Sequence, residues 1–83
     1  MILEINYIYK FNNIYKFFNG TDSCTIVLKS IDDNFNKFHQ IFDEVVSIKV
    51  ADGDEVITNK NKYKLKDIDI NIIEGTTTIR LHV

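Results

Sequence analysis

Residues 46–73 read VSIKVADGDEVITNKNKYKLKDIDINII, and their alternation decides the fold class. Val46, Ile48 and Val50 alternate with Ser47 and Lys49. Period two puts successive side chains on opposite faces of an extended strand, here about 46–50. Asp52-Gly53-Asp54 carries the turn chemistry of a tight hairpin, because Gly reaches positive φ without strain. The return strand is expected over about 55–66, with Asn59 to Asn61 as a polar turn or bulge. The apolar set then moves from odd positions (Tyr63, Leu65) to even ones (Ile68, Ile70, Ile72). A slip of one residue would turn a whole face to solvent, so a bulge or turn is expected near Lys66-Asp67. A further strand follows over about 68–73.

Working outward, Glu74-Gly75 is a turn and Ile79, Leu81 and Val83 alternate with polar residues, giving a last strand over about 76–83. Upstream, Leu3 to Phe11 alternate as a strand of about 2–11, and Asn12-Asn13 marks a turn. Ile14 to Phe18 form a second strand, about 14–18, and Asn19-Gly20 predicts a type I′ hairpin. A third strand, about 23–29, carries Cys24, Ile26 and Leu28 on one face. Between the two sets of strands the period changes. Ile31, Phe35, Phe38, Ile41, Phe42 and Val45 form one stripe of an amphipathic helix, about 31–44, with Ser30 and Asp33 spaced as a capping box. The predicted fold is therefore α+β, a single domain over 1–83. An antiparallel, curled sheet of about six strands, in the order βββ-α-βββ(β), packs on one helix.

The 83 residues include ten Lys plus Arg, twelve Asp plus Glu, one Cys and no Pro or Trp. A chain of this size supports one core layer, with little left to wall off a cleft. One thiol makes no disulfide framework and falls short of a zinc pattern. No run of eighteen apolar residues is present, and the N-terminus lacks the pattern of a signal peptide, so a soluble, reducing-compartment protein is expected. Fourteen Ile, nine Asn and nine Lys beside one Arg and one Ala reflect AT-rich codons.

No constellation of catalytic or metal-ligating residues emerges. Cys24 lies on an apolar strand face, as buried free Cys commonly does, and His39 and His82 have no partner at ligand spacing. Neither an enzyme nor a cofactor is expected. Three surfaces are candidates for binding. An acidic face comprises Asp43, Glu44, Asp52, Asp54 and Glu55; residues 31–56 hold seven acids against two lysines, a local net of −5. Such a face suits a basic partner surface, including a nucleic-acid-binding one, although solvated charge explains each residue singly. An aromatic surface comprises Tyr7, Tyr9, Tyr15 and Phe18, from an N-terminal stretch that holds six of the ten aromatics. The competing reading puts these rings in the core. A stripe of Lys60, Lys62, Lys64 and Lys66 repeats every second residue and would present four ammonium groups along one strand face. It could follow a phosphate backbone or guard a sheet edge; the net charge of −2 and the single Arg weigh against nucleic acid.

The composition, the size and the meander IKVADGDEVI (48–57), NKYKLKDIDI (61–70) and TTTIRLHV (76–83) resemble small accessory proteins of phages and mobile elements in low-GC bacteria. That class includes anti-CRISPR and other anti-defence inhibitors and small virion components. The resemblance implies a non-enzymatic module in the cytoplasm of a bacterial host. Its partner would be a host protein, a nucleic-acid-binding nuclease complex among the candidates, with no membrane contact. A self-assembling virion component, or a homodimer, is the alternative, and nucleic-acid contact along Lys60–Lys66 the second. No functional residue is carried over from the class.

Overall fold

The computed structural model describes residues 5–31 and 46–83, with side chains over 10–31, 47–59 and 62–83. Its six strands are β1 (Ile5–Phe11), β2 (Ile14–Asn19), β3 (Ser23–Leu28), β4 (Val46–Asp52), β5 (Glu55–Asn71) and β6 (Thr76–His82). They hydrogen-bond in the order β1-β4-β5-β6-β3-β2. β5 is shared: its first part joins β4 and β1 in a three-stranded sheet, and its second joins β6, β3 and β2 in a four-stranded one.

This corrects the α+β expectation. The described residues are all-β, and no helix packs on either sheet among them. The helix expected over 31–44 falls, apart from Ile31, outside the described residues, as does the start of the first expected strand at 2–4. Ile31 itself lies in irregular backbone and is exposed. The apolar faces find cover in each other. Phe11, Ile48, Val50 and Tyr63 from the three-stranded sheet form one buried cluster with Cys24, Ile26, Leu28, Ile79 and Leu81 from the four-stranded sheet. Ile14, Phe17, Ile57, Leu65 and Ile68 pack against that cluster. The purely antiparallel arrangement is corrected too, because β1 runs parallel to β4.

Two features fold the sheet onto itself. β1 and β2 stand at opposite ends of the strand order, yet only Asn12 and Asn13 connect them. Three Cα–Cα steps span at most about 11 Å. Five strand spacings in a flat sheet would total about 24 Å. The ends must therefore curl towards each other at this corner. Asn13 takes φ +63°, which Asn tolerates, and its carbonyl accepts from Lys29 N at 3.1 Å. The Phe11 carbonyl accepts from Gly53 N at 3.0 Å, tying the corner to the β4–β5 turn.

The second feature is the bending of β5. Its 17 residues would reach about 55 Å if straight, beyond the 42 Å long dimension of the molecule. Register shifts insert an extra residue in β5 at three places. One is at Ile57, where Val50 pairs with Thr58 and Ala51 with Val56. The next lies between Lys60, opposite Ile48, and Tyr63, opposite Val46. The third is Lys66, where Leu65 pairs with Leu81 and Asp67 with Arg80. Bulges bend a strand and sharpen its twist, which lets one strand serve two sheets. In place of the two strands expected over 55–66 and 68–73, one continuous strand absorbs the parity slip at Lys66.

The turns differ in one respect from their sequence signals. Gly53 has φ +59° and Gly75 has φ +67°. Gly20 does not take positive φ, so no type I′ turn forms at Asn19-Gly20. Asn19 instead pairs with Cys24 as the last residue of β2, and Gly20 N donates to the Ser23 carbonyl at 2.8 Å across a wider loop.

Candidate interaction surface

β2 carries the exposed aromatic side chains among the described residues. Ile14 pairs with Leu28 and Phe17 with Ile26, so both turn towards the core. Between Ile14 and Lys16 the register shifts, and Tyr15 is the extra residue. The bulge lifts its ring out of the ladder to 56% exposure, and Phe18, on the face opposite Phe17, is 62% exposed. Among the described residues β2 has β3 as its neighbour on one side and ends the strand order on the other. Its edge and its outward rings therefore occur together.

Two cations attend Tyr15. The ammonium groups of Lys16 and Lys29 each lie 5.3 Å from the ring centroid, within cation–π range. Tyr15, Lys16 and Lys29 line a shallow cavity of about 350 Å³ with Glu74 of the β5–β6 turn and Thr76 at the start of β6. Further along the sheet, Phe18 pairs with Thr25, Thr25 with Arg80, and Arg80 with Asp67. Arg80 Nη1 donates to Asp67 Oδ1, in a pair whose side chains are 39% and 46% exposed. Solvent screening leaves such a pair worth less than about 1 kcal/mol. It orders the face more than it stabilises the fold.

The other expected surfaces are distributed as follows. Asp52, Asp54 and Glu55 gather at the β4–β5 turn, Asp52 half-buried and the other two exposed, while Asp43 and Glu44 lie outside the described residues. Lys10 Nζ approaches Asp54 Oδ1 at 3.9 Å with both groups open to water, so the turn keeps its acidic character. Tyr7 and Tyr9 belong to β1, paired in register with Ile48 and Val50; their side chains are outside the description. Lys62, Lys64 and Lys66 are exposed along β5. Their strict period does not extend back to Lys60, because the bulge between Lys60 and Tyr63 resets the alternation. The stripe is three residues long on one register, and Asp67 and Asp69 follow it.

The core holds the chemically distinctive groups. Cys24 is buried and pairs with Leu81, whereas His82 pairs with Ser23, one position along and therefore on the other face. The strand pleat separates this thiol and imidazole. Tyr63 is 1% exposed. Burial pushes its phenol up from the ordinary value of 10.0, the nearby Cys24 adds to the rise, and the Thr58 hydroxyl pulls the other way. Thr58 Oγ1 is itself buried and meets no partner at good hydrogen-bond geometry. Among the described residues no group of three or more His, Cys, Asp or Glu could hold a metal ion.

One exposed feature escaped the sequence reading. Ile72, assigned there to a strand face, and Ile73 sit in the β5–β6 turn, 81% and 98% exposed. The signal was present in the broken alternation of Ile72-Ile73 just ahead of Glu74-Gly75. No helix among the described residues is long and apolar enough to cross a membrane. Fold and surface together define a small β-rich domain with an aromatic sheet edge. Comparison with protein-family models, with curated proteins and with solved structures gave no match.

Proposed function

We propose that this chain is a non-enzymatic protein-binding module that covers a partner's surface with the aromatic edge of its four-stranded sheet. The observation that carries the reading is the exposure of Tyr15 and Phe18 on a terminal strand. Burying two such side chains against a partner is worth about 1.5–3 kcal/mol each. Aromatic rings give that area at low entropic cost, which is why they serve as interface anchors. The outer edge of β2, which has no strand neighbour among the described residues, adds backbone donors and acceptors for a partner strand.

The resemblance of the C-terminal half to small anti-defence proteins makes a bacterial defence factor the first partner to test. Purified wild-type protein and a Tyr15→Ser/Phe18→Ser variant are used as bait in host lysate. A specific protein retained by the wild type and lost at least tenfold by the variant supports the reading. Equal retention by the two, or recovery of the bait alone, overturns it. Charge reversal at Asp52, Asp54 and Glu55 in the same assay reads out the acidic turn. We favour a protein partner over nucleic acid, a reading supported by the shortened lysine stripe and the acids that follow it.

A further inference from the structure

The tip of the β5–β6 hairpin presents Ile72 and Ile73 at 81% and 98% exposure, the most open large apolar side chains among the described residues. Packing does not hold them there. Glu74 N donates to Asn71 Oδ1 at 3.1 Å and Gly75 takes φ +67°, so one side-chain-accepted bond and the glycine backbone shape the tip and leave both isoleucines in water. The neighbouring cavity is amphipathic, with two ammonium groups beside an aromatic ring. Glu74 and Thr76 share their cavity with Tyr15, Lys16 and Lys29, where two lysines against one glutamate leave a local charge of +1. The Thr77 hydroxyl donates to the Ser30 carbonyl at 2.8 Å, which brings Ile31, 43% exposed, to the same end of the molecule.

We propose that this end docks on an anionic bilayer surface, with Ile72 and Ile73 entering the boundary between headgroups and acyl chains. Tyr15 then lies at headgroup depth, and Lys16 and Lys29 face the anionic headgroups. A convex, apolar tip flanked by an aromatic ring and ammonium groups matches a soft interface, which needs no shaped pocket to receive it. The charge sign matches lipid headgroups of the cytoplasmic type. Absence of a long apolar run bears on spanning segments only, and this mode of binding does not span.

The chain has no Trp, so Ile73→Trp provides a single reporter at the tip. It is mixed with vesicles of phosphatidylcholine alone, or with a third of the lipid replaced by phosphatidylserine. A blue shift of its emission with the anionic vesicles supports insertion, and an unshifted spectrum overturns it. Co-sedimentation of the wild type with the anionic vesicles should fall about tenfold or more in Ile72→Ser/Ile73→Ser. In Lys16→Gln/Lys29→Gln it should fall to the level seen with neutral vesicles, and in Glu74→Gln it should rise. No sedimentation of the wild type, or undiminished sedimentation of the serine variant, overturns the proposal. Capture of a protein that depends on Phe18 but not on Ile72 and Ile73 is a separate result, so failure here leaves the protein-binding reading intact.

Discussion

Tyr63 concentrates the chemistry of the core in one side chain. Its ring fills the junction where β5 passes from one sheet to the other, and its phenol sits beside Cys24 and Thr58. Because burial raises the folded-state value above the ordinary 10.0, the protonated phenol favours the native state. Its contribution is complete below that ordinary value and is lost as pH rises through the folded one. The urea midpoint should therefore decline above pH 10, and Tyr63→Phe should flatten that decline. An identical decline in Tyr63→Phe would assign the effect to other groups. Truncation to Ala should cost about 3–5 kcal/mol, through lost transfer energy and the cavity left behind. The sequence showed Tyr63 as an alternating apolar position; its neighbours depend on contacts between distant strands and could not be read there.

At the scale of elements, turns and bulges decide which faces meet. Asp52-Gly53-Asp54 and Glu74-Gly75 were legible because each glycine adopts the positive φ that its residue type permits at little cost. Asn19-Gly20 carried the same local signal, but Asn19 was drawn into the β3 ladder and the turn moved to a wider loop. Tertiary pairing outweighs a local preference of this size. The contrast predicts that Gly75→Ala costs about 1–2 kcal/mol from the strained backbone, since open space around it leaves no clash. Gly20→Ala should cost less, as its new Cβ meets only the Ser23 side chain at 3.4 Å and the Ser23 carbonyl at 3.5 Å. Urea titration of the two variants checks the order, and the reverse order would contradict the turn assignment. The parity slip near Lys66 was legible for the same reason as the strands, because period two makes any extra residue visible. The irregularity between Lys60 and Tyr63 adjoins the polar turn or bulge expected over Asn59 to Asn61, whereas the extra residue at Ile57 was hidden, since the adjacent apolar pair Val56-Ile57 fits either face.

For the whole molecule, one core joins both sheets. Ile26 and Ile48 lie in different sheets yet belong to the same buried cluster. Replacement of either by Ala should cost about 2–5 kcal/mol and move a single unfolding transition, seen alike by far-UV circular dichroism and tyrosine fluorescence. Two separated transitions would show that the sheets have independent cores. The candidate sites were legible as residue types only. Tyr15 and Phe18 were chosen as surface aromatics from their place in a crowded stretch, and their exposure follows from a bulge that no local pattern encodes.

The sequence by itself determined the strands around the turns and most of the polarity of their faces. These follow from period two, from turn residues and from composition, all of which act within a few residues. Only the tertiary structure decided that the described chain is all-β, that β1 pairs parallel to β4, and that the sheet's ends curl together at Asn12-Asn13. It also decided that Ile72 and Ile73 stand in water. Those outcomes depend on which distant apolar faces cover one another, and the free energy of that choice is shared by residues that the chain order keeps far apart.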